Sequence, residues 1–392
     1  MLPKKGILIA FGELFLKSEG VRKIFQRKLL ENLSLALKKG GFDFKIYSFH
    51  ERIFIESGKG KEASKIIKNI PGIAWFSETL FFEKVNSKEF SDFLAKNYRK
   101  WIKKGETFAI RLKREKEIKE SSEKIITQLA KPIKEKVDLE KPKREIFVEA
   151  RKFGWFLYFK KKKGIGGLPF SSGGKVLALI SGGIDSPVAS FLMAKRGAEN
   201  IWLHFHSFPL VSKKSIEKVK KLAEIFLNFQ PYLKIYFIPF SQAQIEVKLK
   251  IPSKYRILIY RRLMLKIAQN FAKKEDCQAI VTGESLGQVS SQTLDNLRII
   301  EDGIKIPIFR PLIGFDKNEI INLAKKIKTF EISILPQEDC CTLFVSKHAT
   351  AKGNLKKVKE EEKKLDVEEL IKEAIKKAKV ERIKGLAQEH KP

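Results

Sequence analysis

Residues 176–197 read VLALISGGIDSPVASFLMAKRG. Residues 176–180 are apolar throughout, the pattern of a strand buried on both faces of a parallel sheet. Gly182 and Gly183 allow a tight turn and let backbone N–H groups approach a ligand closely. Ser186 is the expected N-cap of the next helix, with Pro187 at its first position. Lys195 and Arg196 fall in the last turn, and Gly197 stands just past the end. The stretch predicts strand, glycine loop and helix, and such a helix N-terminus favours phosphate. A Walker loop would place a lysine on the terminal phosphates, and none stands here. The bland alternative is a glycine turn in an ordinary α/β fold.

The rest of the composition bounds the partners. The chain has 392 residues, enough for two to four domains. Lysine and arginine number 79 against 46 acidic residues, a net charge of +33. That surplus favours a polyanion such as nucleic acid, because neutralised phosphates release counterions. A lysine-rich proteome or a thermophile's charged surface would also produce it. No apolar run approaches the ~18 residues of a membrane span. The start, MLPKKGILIAFGELFLKSEG, lacks a small-residue cleavage site and reads as a first strand. Three cysteines without even spacing point to a reducing compartment, so a cytoplasmic protein without membrane contact is expected.

Working outward, residues 6–55 read β-α-β-β, a small α+β unit with a ferredoxin-like flavour. KEASKIIKNI looks helical and stops at Pro71 and Gly72. Residues 73–165 form a second α+β region, with helices in EFSDFLAKNYRKWIKK and SSEKIITQLAKPIKEKV. Pro132 should break the latter. Arg111, Lys113, Arg114, Arg151, Lys152, Lys160, Lys161 and Lys162 interleave here with Trp155 and Tyr158. Cations mixed with aromatics suit RNA, although a solvated strand face reads the same way. GIGGLPFSSGG, residues 164–174, is the clearest linker. Beyond it strands and helices alternate, which predicts an open parallel sheet with ligands at the carboxyl ends of its strands. The glycine loop, His204 and Gly283-Glu284 all fall at such ends. The expected domains are 1–58, 59–166, a linker 167–174, 175–350 and a charged helical tail 351–392.

SGGxDS resembles the PP-loop of ATP pyrophosphatases, which split ATP between its α and β phosphates. More widely, the chain resembles the tRNA 4-thiouridine synthetases, or tRNA sulfurtransferases. FGELFLKSEGVRKIFQRKL is similar to their N-terminal segment. VDLEKPKREIFVEARKFGWFLYFKKKKGIGGLP is similar to the end of their THUMP RNA-binding domain. TGESLGQVSSQTLDNL, RPLIGFDKNEII and EDCCTLF are similar to their later motifs. The resemblance implies an N-terminal ferredoxin-like domain, a THUMP domain and a PP-loop domain. It implies that ATP adenylates O4 of the tRNA uridine joining the acceptor and D stems. A protein persulfide, charged by a cysteine desulfurase, then displaces AMP to leave 4-thiouridine. Some members also pass sulfur toward the thiamine thiazole through a sulfur-carrier protein, and relatives suggest a homodimer. The form expected is the one without the rhodanese-like domain of longer members.

Site residues follow from the same resemblance. Ser181, Gly182, Gly183, Asp185 and Ser186 would hold phosphate, with Leu179 and Ile180 covering the nucleotide. Asp185 would serve adenylation through Mg²⁺ or a substrate group, the alternative being a helix N-cap. His204 and Phe205 would line the adenine side, the alternative being a structural histidine. Arg261 would face the site rather than its neighbour Arg262, Gly283 would permit close approach, and Gln292 would offer its amide. In DKNE, Asp316 and Glu319 form an expected capping box. Lys317 then opposes the helix dipole, a placement that suits a cation meeting an anion. Cys340 and Cys341 are the sulfur-carrying candidates, and the segment aligns with either; the resolving thiol is not assigned. Cys277 reads as structural. Ile257 and Tyr260 stand where some relatives place cluster-ligating cysteines, so no iron–sulfur cluster or protein-held metal is expected. A PP-loop enzyme with another acceptor, or an RNA-binding protein with a relict nucleotide fold, are the alternatives. The paired cysteines favour thiolation over both.

Overall fold

The structure, a computed structural model, describes residues 2–13, 18–49, 51–336, 344 and 350–384. The chain forms two compact units that part between Gly167 and Leu168.

The first unit begins with β1 (Lys4–Phe11), α1 (Glu19–Lys39), β2 (Lys45–Ser48) and β3 (Arg52–Glu56), the order the sequence predicts. Leu29, Leu33 and Leu37 recur at helical spacing and are buried on α1. After α2 (Gly60–Ile67) comes β4 (Ile73–Glu83), a strand the sequence reading does not separate out. Then follow α3 (Ser87–Asn97), β5 (Phe108–Arg114), α4 (Ser122–Ala130), β6 (Arg144–Arg151), β7 (Gly154–Tyr158) and β8 (Lys162–Lys163). The helix expected over 121–137 does end before Pro132. One sheet runs in the order β2-β3-β1-β4-β7-β6-β5, with β8 paired to β4. Eleven-residue β4 pairs with β1 on one side and β7 on the other, so the sheet runs unbroken across residue 58.

Strand alternation sorts this sheet's side chains. Phe82, Trp155 and Leu157 pack with Phe90 and Leu94 of α3 and with Ile125 and Leu129 of α4. Their neighbours Phe81, Phe156 and Tyr158 gather instead with Leu8 and Phe54 in an aromatic layer.

The second unit contains β9 (Lys175–Leu179), α5 (Asp185–Lys195), β10 (Glu199–His206), α6 (Lys214–Phe226), β11 (Tyr232–Pro239), α7 (Ser241–Lys250), α8 (Arg256–Lys274), β12 (Ala279–Val281), α9 (Leu294–Glu301), β13 (Ile308–Phe309), α10 (Lys317–Lys326) and α11 (Phe330–Ser333). The tail supplies α12 (Leu355–Glu362), α13 (Val367–Lys376) and β14 (Lys379–Lys384). The sheet order is β13-β12-β9-β10-β11-β14. All pairs are parallel except β11 with β14. The tail is therefore not wholly helical: KVERIK closes the sheet edge. Val358, Leu370 and Ala374 of the tail helices join the core around α8. Arg262, expected as a solvated neighbour of Arg261, is instead buried and grips Glu362 of α12 with two bonds of 3.1 and 2.9 Å.

Chain order carries β9 to β10 and β11 on one side, then to β12 on the other. The strand order reverses between β9 and β12, where a doubly wound sheet opens a crevice at its carboxyl end.

Candidate functional site

The glycine loop sits at that reversal. Gly182 has φ +82°, a left-handed conformation that favours glycine. The helix begins at Asp185 with Ile184 as its N-cap, so Ser186 does not cap it. The Ser186 hydroxyl instead accepts from the Ser181 N–H at 3.1 Å, and the Ser181 hydroxyl accepts from the Gly183 N–H at 3.2 Å. These two bonds close the loop over the helix N-terminus. Gly283, just beyond β12, packs directly on that turn. A Cβ there would lie 2.8 Å from both N and Cα of Ser186. The close approach expected at Gly283 is thus made to the phosphate-loop helix.

Lys317 is the first residue of α10, whose capping box is formed as expected by Asp316 and Glu319. Its Nζ donates to Asp185 Oδ1 at 2.7 Å, and Gln288 Nε2 donates to Oδ2 at 3.0 Å. Two helix N-termini, a lysine and the Asp185 carboxylate therefore meet at the loop. Helix ends of that polarity, with free N–H groups, attract a polyphosphate.

Arg261 is placed by Glu284, as Nη1 lies 3.2 Å from Glu284 Oε1 and 3.3 Å from Ser291 Oγ. Glu284 is buried, and its other oxygen accepts from Thr282 Oγ1 at 2.8 Å and Arg310 Nε at 2.6 Å. Burial pushes the Glu284 carboxyl up, but Arg261 and Arg310 outweigh it and hold the group below the usual carboxylate range. Gln292 is buried, with Oε1 accepting from the Ser285 N–H at 3.4 Å. Arg310 and Gln288 escaped the sequence reading. Arg310 follows β13 as Glu284 follows β12, so its position after a strand was the available signal. Gln288 lies in an irregular loop and offered none.

His204 and Phe205 lie deeper than expected. His204 is 2 % exposed. Its Nδ1 is 2.7 Å from the Ile180 carbonyl and so must donate, leaving Nε2 to accept from Ser215 Oγ at 3.2 Å. Burial holds its pKa down at about 4, which keeps the ring neutral. One nitrogen supports the chain just past β9 and the other the start of α6. Phe205 packs edge-on to Phe240 in the core, with ring centroids 5.4 Å apart. Ile180 is buried and Leu179 packs partly against the same core.

In the first unit the basic candidates divide. Lys113, Lys152, Lys160 and Lys161 are exposed, with Lys113 Nζ 3.2 Å from Glu51 Oε2. Lys161 Nζ lies 5.1 Å from the Trp75 ring and 4.8 Å from Phe147, which stacks on Tyr158. Arg111 is bonded to Glu145, Arg114 to the Glu115 and Ile118 carbonyls, and Lys162 to Glu78. Arg151 is only 4 % exposed and binds Glu149 at 2.8 Å, within a buried network that includes Arg52 and Tyr158. It braces the sheet and is not offered to solvent.

Cys340 and Cys341 lie outside the described residues. Cys277 is buried and burial pushes its thiol up to about 12, an inert state. Among the described residues no three His, Cys, Asp or Glu side chains cluster to hold a metal, and no helix is long and apolar enough to cross a membrane.

Comparisons with known proteins cover nearly all of the chain. The family model described as thiamine biosynthesis protein (ThiI) matches residues 171–367, the ThiI ferredoxin-like domain residues 6–77 and the THUMP domain residues 94–160. A probable tRNA sulfurtransferase of Alkaliphilus metalliredigens is 38% identical over 389 residues, 96% of this chain and 98% of the relative. One from Thermoanaerobacter pseudethanolicus is 40% identical over 375 residues, 93% of this chain and 96% of the relative. A solved 4-thiouridine synthetase–RNA complex with bound ATP superposes with a TM-score of 0.87 at 32% identity, over 97% of this chain and 100% of that one.

Proposed function

The chain belongs to the tRNA sulfurtransferase (ThiI) family, and from that premise we propose that it converts a tRNA uridine, the one joining acceptor and D stems, to 4-thiouridine. Uridine O4 attacks the α-phosphorus of ATP and diphosphate leaves into the Ser181–Gly183 loop and the N-terminus of α5. The terminal sulfur of a protein persulfide then bonds to C4 as the bond to AMP breaks. A second thiol takes the carrier sulfur into a disulfide and releases the thiouridine. The relative solved with RNA and ATP supports both substrates.

The observation that carries this reading is the contact between Lys317 and Asp185 at the loop mouth. Lys317 stabilises negative charge at the α-phosphate during transfer. Asp185 would hold Mg²⁺, which would offset the charge of the phosphates. Arg261 contacts the nucleotide, anchored by Glu284. His204 sets the end of β9 through the Ile180 carbonyl rather than touching adenine. Lys113, Lys152, Lys160 and Lys161 meet the RNA backbone.

Cys340 or Cys341 carries the persulfide, charged by a cysteine desulfurase. Delivery of the same sulfur toward the thiamine thiazole rests on the description of the matched family model. The test combines protein, ATP-Mg²⁺, a cysteine desulfurase with cysteine, a thiol reductant and unmodified tRNA. Nucleoside mass spectrometry reads 4-thiouridine, with Cys340→Ser and Cys341→Ser in parallel. Product lost in one variant names the carrier. Absence of both product and tRNA-dependent AMP overturns the proposal.

A further inference from the structure

At the amino-terminal end of the second unit's sheet, away from the phosphate loop, lies a cavity of about 330 Å³. It is lined by the first residues of three parallel strands (Lys175, Glu199, Tyr232), by Lys234 and by Arg382 and Lys384 of β14. Eight-residue β10 spans roughly 26 Å between this cavity and the catalytic end. A nucleotide held in the glycine loop does not reach it.

The charges here do not balance. Glu275, which also lines the cavity, accepts from Lys234 Nζ at 2.6 Å and Tyr236 OH at 2.5 Å. Burial and the neighbouring Glu199 carboxylate push the Tyr232 hydroxyl up to about 12. Glu275 is thus engaged, and among the described residues Lys175, Arg382 and Lys384 have no carboxylate partner. Arg382 moreover stands directly across the strand pair from Lys234, and Lys384 across from Tyr232. Like charges set opposite one another in a sheet cost stability. An anion seated in the cavity removes that cost.

The aromatic member narrows the ligand. Tyr232 is 43% exposed, and Phe170 meets its ring edge-on at 5.7 Å. A fixed, open ring beside three unpaired cations has the composition of a site for an unpaired nucleotide, with phosphate on the cations and base on the ring. Arg382 and Lys384 alternate along the exposed edge strand, so the cations continue out of the cavity along a path that a polymer backbone can follow.

We propose that this groove is a second RNA contact on the catalytic unit, taking successive backbone phosphates on Lys175, Arg382 and Lys384 and an unpaired base on Tyr232. The proposal rests on the reading of tRNA as substrate. Its test measures tRNA affinity of the full chain between about 50 and 200 mM salt, for wild type and for the triple variant Lys175→Gln, Arg382→Gln, Lys384→Gln. Each lost phosphate contact lowers the slope of log affinity against log salt by about 0.7–0.9, so a fall of about 2 is expected, with the ATP affinity of the tRNA-free chain unchanged. Tyr232→Leu should weaken binding about tenfold without changing the slope. Wild-type slope retained in the triple variant overturns the groove and leaves the tRNA reading standing. That same result with sulfur delivery from the desulfurase lost reassigns the groove to a protein partner. A wild-type chain that binds no tRNA overturns both.

Discussion

Lys317 and Asp185, 132 positions apart in sequence, meet at 2.7 Å across the mouth of the glycine loop. Each heads a helix, α10 and α5, so two positive helix ends face one another with the Asp185 carboxylate between them. The Lys317 side chain is 44% exposed, and an ion pair in such a setting contributes at most about 1 kcal/mol. The lysine also opposes the dipole of its own helix.

Lys317→Met should therefore leave the melting temperature within a few degrees of wild type while lowering thiolation by roughly 100-fold or more. Asp185→Asn should abolish thiolation with tRNA affinity intact. Nucleoside mass spectrometry and filter binding read the two quantities separately. Loss of RNA binding in Asp185→Asn would remove Asp185 from the chemistry.

Gly283→Ala tests the packing of β12's end on the phosphate loop. The added methyl would meet the Ser186 backbone at 2.8 Å. Backbone cannot yield as a flexible side chain does, so a loss of about 1–3 kcal/mol is expected. The KM for ATP should rise with it, because the displaced turn carries the phosphate site. Denaturant titration and ATP–diphosphate exchange check both.

Glu284→Gln removes the charge shared by Arg261 and Arg310. Breaking one partner of a buried pair costs about 3–5 kcal/mol, and the freed Arg261 should lose its fixed orientation. A lowered denaturation midpoint with weakened ATP binding is expected. Arg262→Met should destabilise through Glu362 with ATP affinity retained, which separates the two adjacent arginines.

Acid should weaken the fold through His204. Its pKa is about 4 in the folded chain against an ordinary 6.5. Between those values the unfolded chain binds a proton that the folded one refuses, so stability is present above pH 6.5 and declines toward pH 4. His206, also held near 4 by burial and by Lys379, adds to the slope. Melting temperature against pH should flatten in His204→Gln.

The catalytic half was legible where one residue pattern had one structural meaning. The run from Val176 to the turn at Gly182 could only be a buried strand feeding a helix, and the DKNE box fixed Lys317 at a helix start. Position along a strand did not reveal depth: His204 sits at a strand end like Glu284, yet its ring turns inward to Ile180 and Ser215. Nor could the sequence tell Arg261 from Arg262 except by resemblance, since Glu362 is a hundred residues away. β4 was missed because residues 73–83 are buried in patches on both faces and lack a clean alternation. KVERIK carries too much charge to announce a strand, because as an edge strand it keeps four of its six residues in water.

That edge strand also imposes an order on biosynthesis. Tyr232 of β11 pairs with Lys384 of β14, so the catalytic sheet stays open along β11 until residue 384 has left the ribosome. During that interval β11, with Ile235, Tyr236, Phe237 and Ile238 buried in the finished fold, presents unpaired N–H and C=O groups to any neighbouring nascent chain. A ribosome that stalls before Lys379 would release a protein with its phosphate loop already encoded and its sheet unsealed, a substrate for chaperones rather than for tRNA.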